Sequence, residues 1–295
     1  MSNPDIASGV IHDIGYQRYS GVRLGRGYAA RSLYVHGVRT AFGFGRSAKA
    51  KIFPWFVVAV MLLVAVILTA IRSLQGEVVL GYTAFPDVMS LLTVLFCAIA
   101  GPELVSRDLR TGVLPLYFSR PLARSDYALA KWAALVTSAW LLLAAPLAVM
   151  FFGGAFGVAD MGEFWTELGH FLAGLGYAGV HALLFASIAI LIGSLSGRRA
   201  VSAAIIAAFF LLATAVFGIM ASLGFATENT TLTELSLLFS PPTLAQGVEL
   251  WLFNPRPEDL DLSIGDFGPV YGLAWLGFTL LSVALLLLRY RKVAR

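Results

Sequence analysis

The sequence predicts an all-α integral membrane protein with six transmembrane helices and both termini in the cytoplasm. Three observations carry this expectation. Hydrophobic residues make up 58% of the 295 residues and charged residues only 13%, against about 25% charged in an ordinary soluble domain. So few charges cannot clothe a water-facing surface, and the mean hydropathy is +0.80. The apolar residues also fall into six runs long enough to cross a hydrocarbon core about 30 Å thick, which takes roughly 20 residues of helix. Finally, with the N-terminus placed inside, nineteen of the twenty-one lysines and arginines lie on one side, and only Arg72 and Arg256 fall outside this pattern.

The chain divides into a cytoplasmic arm, residues 1–51, and a six-span domain, residues 52–295. The arm lacks the short apolar core of a cleavable signal peptide, so it is expected to be retained. Residues 1–27 read as irregular, broken at Asn3, Pro4, Gly9, Gly15 and Gly21. From about 28 to 44 the pattern changes. Ala30, Tyr34, Val38 and Phe42 recur every four residues with Ala41 beside them, while Arg31, His36, Arg39 and Thr40 lie elsewhere on the wheel. This predicts a basic amphipathic helix along the inner membrane surface, in contact with membrane lipid. A nucleic-acid-binding arm is the rival reading, but the adjacent span disfavours it, and no nucleic-acid partner is expected.

The predicted spans are 52–71, 84–101, 131–152, 169–195, 200–224 and 268–288. Most acidic residues lie between spans on the outer side, at 160–167 and 228–266. The span interiors hold almost no ionisable groups. Asp87 follows Pro86 at the outer start of span 2 and reads as support for a helix N-terminus. His170 and His181, eleven residues apart in span 4, would stand about 16 Å apart on a helix. One metal cannot bridge them, and both read as packing histidines. Cys97 sits in an apolar run and reads as a small packing residue. Ion-coupled carriers usually need intramembrane carboxylates or bases, and membrane hydrolases need a nucleophile–base pair or a metal cluster. The sequence has no HExxH, no GxSxG, no pair of aspartates within the spans and no GxxxxGK[ST]. The chain by itself is therefore not expected to be an enzyme or to bind ATP, metal or another cofactor.

The strongest signal lies between spans 2 and 3, residues 101–132. Pro102 suits a first helical turn and Gly112 a C-terminal cap, so a helix of about ten residues is expected between them, standing off the membrane. Glu103 and Arg107 form a potential i,i+4 pair in the orientation the helix dipole favours. Pro115 is expected to stop this helix, Ser119, Arg120 and Pro121 to make a second break, and Ser125 or Asp126 to cap span 3. The succession Glu103, Arg107, Asp108, Thr111, Gly112, Leu114, Ser119, Arg120, Pro121, Arg124, Tyr127 and Lys131 resembles the corresponding loop of type-2 ATP-binding-cassette (ABC) exporter permeases. The motif covers about thirty residues and is degenerate, but the six-span layout extends the resemblance over most of the chain.

The resemblance implies that this loop is the coupling helix that docks on an ATPase. Glu103, Arg107, Asp108, Arg110, Thr111, Gly112, Arg120, Pro121 and Arg124 would form that interface. Arg31, Tyr34, Val38, Arg39 and Phe42 would belong to an interfacial elbow helix. The implied partners are two copies of a P-loop ATPase subunit, which would hold ATP and Mg, and a second permease chain, identical or homologous. The implied location is the cell (plasma) membrane, in a bacterium the inner or cytoplasmic membrane.

Between spans 5 and 6, the apolar pieces at 231–239 and 243–253, separated by Ser240, Pro241 and Pro242, are too short to span and predict short extracellular helices, the second starting near Pro242. Glycines 153 and 157, 193 and 197, and 268 and 272 make GxxxG pairs that permit close helix approach. The rival functions are a passive channel or ion-coupled carrier, a membrane-embedded enzyme acting on lipids, and a structural or sensing subunit. The sparsity of polar groups favours an amphiphile or lipid-like molecule over a small ion as cargo.

Overall fold

The computed structural model describes residues 21, 24–119, 122–155, 160–253 and 263–292. Among the described residues it is all-helical, with no strand. In chain order the helices are α1 (Arg26–Ala41), α2 (Ala48–Gln75), α3 (Ala84–Val88), α4 (Ser90–Thr111), α5 (Leu114–Phe118), α6 (Arg124–Ala155), α7 (Met161–Leu195), α8 (Arg199–Ala226), α9 (Thr230–Ser236), α10 (Pro241–Phe253) and α11 (Gly268–Lys292). Single 3-10 turns occupy Leu237–Phe239 and Gly265–Phe267. Six helices, α2, α4, α6, α7, α8 and α11, are long and apolar enough to cross a bilayer. The chain is a multi-pass membrane protein.

The six spans form two tiers. In α4 and α7, 67% of the apolar window is buried, and in α6 56%; in α2 and α11 the share is 22%, and in α8 only 11%. The first three therefore form the protein core and the last three present most of their surface outward. Because lipid is as apolar as leucine, cohesion between spans comes from close packing and interhelical hydrogen bonds. Trp132 Nε1 donates to Ser187 Oγ (2.8 Å) and Trp140 Nε1 to Leu175 O (3.0 Å), tying α6 to α7. Ser106 Oγ donates to Gly193 O (2.8 Å) between α4 and α7, and Trp275 Nε1 to Val180 O (3.1 Å) between α11 and α7. Such bonds average about 0.6 kcal/mol each in membranes, so packing must supply the rest.

Small residues set that packing. A Cβ added to Gly193 would stand 3.1 Å from Pro102 N, so the glycine is what lets α7 lie against the proline of α4. Glycines 268 and 272 together form the notch that receives the Trp251 ring of α10. Gly153 meets Thr69 of α2, while Gly157 lies outside the described residues.

Three expectations need correction. Residues 102–112 are not a separate helix, because α4 runs unbroken from Ser90 through Pro102 to Thr111. Proline removes one ladder bond, and transmembrane helices tolerate this where neighbours close over it. Gly101, Pro102, Leu104, Val105 and Ser106 are buried, so this stretch is the packed end of span 2. Its start differs too: Ala84–Val88 is a helix of its own, α3, and the span proper begins at Ser90. At the other end of the bundle, residues 161–167 are not loop. They are the first turns of α7, whose N-cap Asp160 accepts from Glu163 N (2.8 Å).

The N-terminal helix α1 packs against α6 and α4. Its most buried residues are Leu33, Gly37 and Ala41, flanked by the half-buried Ala30, Tyr34 and Val38. The buried stripe is thus rotated by about one residue from the expected one. The cause is Gly37: a Cβ there would lie 2.7 Å from that of Ala134, and the close approach turns this side of α1 inward. Tyr34 donates to Thr137 Oγ1 (3.0 Å), Phe42 stacks obliquely on Phe96, and Arg31 and Arg39 are exposed. Between α8 and α11 the short pieces α9 and α10 form as expected, and α10 lies against α7, α8 and α11.

Candidate functional site

The two ends of the bundle carry different chemistry. The basic end holds α1, α5, the starts of α2, α6 and α8 and the ends of α4, α7 and α11. The opposite end holds α3, α9 and α10.

At the basic end α4 stops at Gly112, where a φ of 65° closes the last turn in the left-handed region that glycine enters freely. Arg107, Arg110, Thr111 and Gly112 are all exposed around this stop, and Thr111 Oγ1 donates back to Arg107 O (2.9 Å). Val113 then leads into α5. Pro115, expected only to stop a helix, stands in the first turn of this one, where its missing N–H costs nothing. Leu114 is buried beneath α5 and Leu116 is 68% exposed on top of it. Arg120 and Pro121 lie outside the described residues. The helix α6 begins at Arg124, so Ser125 and Asp126, expected at its N-cap, lie inside the first turn; Asp126 reaches back to accept from Ala123 N (3.1 Å) and accepts from both Nε (2.5 Å) and Nη2 (2.7 Å) of Arg26.

Two polar posts brace this corner. Asp108 accepts from Tyr127 (2.7 Å) and pairs with Lys131 Nζ (3.0 Å), whose ammonium also lies 5.5 Å from the Tyr127 ring centre. This locks the end of α4 to the start of α6, and Tyr290 of α11 stacks on Tyr127 at 5.1 Å. Arg124 donates to Arg291 O (3.0 Å), adding the end of α11. The second post corrects an expectation: Glu103 does not pair with Arg107. It is reached by Arg46 (3.1 Å), just before α2, and by Arg199 (2.5 Å) at the start of α8. The reason is burial. Glu103 faces the bundle beside Leu104 and Val105, while Arg107 points to solvent, so the buried carboxylate takes its countercharges from neighbouring spans. A groove of about 1140 Å³ opens beside it, lined by Glu103, Arg110, Arg198 and Arg199.

At the opposite end lies a polar cluster that the sequence reading did not assemble. Asp87 of α3 accepts from Tyr177 (2.6 Å), and His181 Nε2 stands 3.2 Å from the same oxygen. Glu249 of α10 lies beside Asp87 and Thr83, and burial together with the Asp87 carboxyl pushes it up to about 8. His181 is fully buried, lies edge-on to Tyr177 and Phe185, and makes no aligned hydrogen bond through either ring nitrogen. His170, by contrast, is exposed. Asp87 therefore does more than support a helix start, and His181 does more than fill space. Beside the cluster is a cavity of about 380 Å³ between α4, α8 and α10, and Asp87 is part of its wall. No local signal marked the cluster, because its members are drawn from residues far apart in the chain.

A second buried group at this end explains the stray charge of the topology count. Arg72, at the end of α2, grips the Glu167 carboxylate with both Nη atoms, one of them at 3.0 Å, and Tyr82 donates to the same carboxylate. Burial and the adjacent carboxylate raise the Tyr82 hydroxyl above its ordinary range. Arg72 is thus neutralised within the fold rather than offered to a membrane surface. Comparison with protein-family models and with curated proteins gave no match.

Proposed function

We propose that the chain is the membrane permease subunit of an ABC exporter, with its N- and C-termini and its basic end in the cytoplasm. The observation that supports this reading best is the placement of the residues that resemble the exporter loop. Those among the described residues fall on one corner, the end of α4, α5 and the start of α6, and that corner is both exposed and braced. Arg107, Arg110, Thr111, Gly112 and Leu116 form the outer surface. Behind them, Asp108 is tied to α6, and Glu103 to α8 and to the turn before α2. A partner pressing on such a surface moves several spans together, which is what coupling requires.

In this reading two P-loop ATPase subunits bind and hydrolyse ATP with Mg, and closure of the pair pushes on this corner. A second permease chain, identical or homologous, completes the path. The role carried here is that of a lever continuous with span 2, with α5 as its tip, and α1 is the elbow helix at the membrane surface. The setting is a cell membrane, in a bacterium the cytoplasmic one.

The test is purification from native membranes in mild detergent. A stoichiometric P-loop ATPase is expected to accompany the wild-type chain, and the double variant Arg107→Glu, Arg110→Glu is expected to lose it while remaining folded. A wild-type chain that purifies as a stable oligomer without an ATPase would overturn the reading in favour of a channel or a membrane enzyme.

A further inference from the structure

The cavity between α4, α8 and α10 has an unusual wall. Leu91, Val94 and Leu95 of α4 and Ala207, Phe210 and Leu211 of α8 make it apolar. Leu91 and Leu211 are themselves largely exposed, so the rim opens toward the outward-facing surface of the bundle. At one end stand Asp87, Ser90 and Gln246. Ser90 and Gln246 make no side-chain hydrogen bond among the described residues, whereas Thr214 and Thr243, which also line the cavity, are committed to Ser240 and to backbone carbonyls. The partners of Asp87 all lie on α7 and α10: Tyr177, His181 and Glu249. They hold the aspartate in place, and its remaining face borders the cavity.

A carboxylate at the edge of an apolar space is costly unless a countercharge reaches it. Among the described residues no arginine or lysine lines this cavity. The nearest basic group, His181, stands 3.2 Å from the carboxylate and is fully buried, and neither of its ring nitrogens makes an aligned hydrogen bond. The chemistry lacking here is therefore a cation that brings N–H donors and an apolar body. The volume, about 380 Å³, falls within the range of small-molecule sites, about 300–1,000 Å³. A metal ion fits poorly, since no group of three or more His, Cys, Asp or Glu converges to hold one among the described residues.

We infer that this cavity binds a single-chain amphiphile bearing a protonated amine, with the ammonium on Asp87, Ser90 and Gln246 and the alkyl chain between α4 and α8. Phe210 presents a ring to the chain, and Leu91 and Leu211 form the entry from the membrane. Asp87 is the residue that discriminates. A neutral alcohol of the same length fills the same apolar space without answering the charge, and a carboxylate is repelled. The site does not depend on the exporter reading, and its test contains neither ATPase nor nucleotide.

The experiment uses the full chain in phosphatidylcholine nanodiscs and measures binding of radiolabelled decylamine, with empty nanodiscs subtracted. Saturable binding at one site per chain is expected, competed by unlabelled decylamine and at least about tenfold more weakly by decanol or decanoate, a difference of about 1.4 kcal/mol. Asp87→Asn is expected to weaken binding by at least about tenfold. Ala207→Phe, which fills the cavity from α8 and leaves the polar cluster untouched, is expected to abolish it. This second variant keeps the test sound should Asp87→Asn fail to fold. Including lysophosphatidylethanolamine, which has one chain, separates the two sources of the same amine: competition assigns the site to a lipid amine, and no competition assigns it to a free amphiphile. Uptake no greater than in empty nanodiscs, equal competition by decanol, or undiminished binding in Ala207→Phe would each overturn the inference.

Discussion

Glu249, outside the spans, is a carboxyl held far above its ordinary value. Its carboxyl, raised from 4.5 to about 8 by burial and by Asp87, is protonated in the fold at neutral pH and ionised in the unfolded chain. The groups facing it are Asp87 of α3, Thr83 just before it and Tyr177 of α7. Between its two values the folded state holds more protons, so stability falls as pH rises through that window. The melting temperature in mild detergent is expected to drop between about pH 5 and about pH 9, and Glu249→Gln is expected to flatten that dependence. Equal slopes in the two proteins would show the carboxyl to be ionised. Arg72 and Glu167 act as a unit of another kind. Glu167→Ala leaves an arginine without its countercharge in a partly buried place and is expected to cost about 3 kcal/mol, whereas Arg72→Met with Glu167→Leu is expected to recover most of that. Denaturant midpoints of the three variants decide it.

Among the elements, the contact of α4 with α7 is the one on which the basic corner depends. Gly193 lets α7 lie on Pro102, and Ser106 bonds to the Gly193 carbonyl. Gly193→Leu is expected to force the helices apart and cost about 1–3 kcal/mol. Gly197→Ala, whose Cβ would sit 3.6 Å from Arg110, is expected to change the unfolding midpoint little. Equal losses in the two would mean that the close approach at Gly193 is not what holds the pair. The same contact explains why a break at Pro102 was a reasonable expectation and yet does not occur. A proline in an isolated helix is a stop, but one enclosed by a neighbouring glycine is not. The α1 stripe shows the same dependence. The four-residue period was legible, but which neighbouring column turned inward was set by the small Gly37 meeting Ala134.

For the whole molecule, the arrangement of charge makes a topological prediction. Cys97 is fully buried and should not react with a polar maleimide, so single cysteines can be read against it. A cysteine at Leu116, on α5, is expected to label only from the cytoplasmic side, and one at Trp165, near the start of α7, only from the other. Labelling of both from one side would break the six-span arrangement. The two-tier burial has its own consequence. α8 leaves nearly all of its apolar window uncovered by the rest of the chain, so lipid or another membrane helix must cover it.

The span count, the fold class, the capping glycine at 112 and the pair of short helices between α8 and α11 were all legible in the sequence. Each follows from a local property: the length of an apolar run, the freedom of glycine at positive φ, or proline at a helix start. The partners of Glu103, the neutralisation of Arg72 by Glu167, and the meeting of Asp87 with Tyr177, His181 and Glu249 were decided only by the tertiary structure. These residues stand about ninety or more positions apart in most pairings. A buried charge takes whichever opposite or hydrogen-bonding group the packing brings within about 3 Å, and which group that is depends on how the helices are arranged in space, which periodicity along one helix does not record.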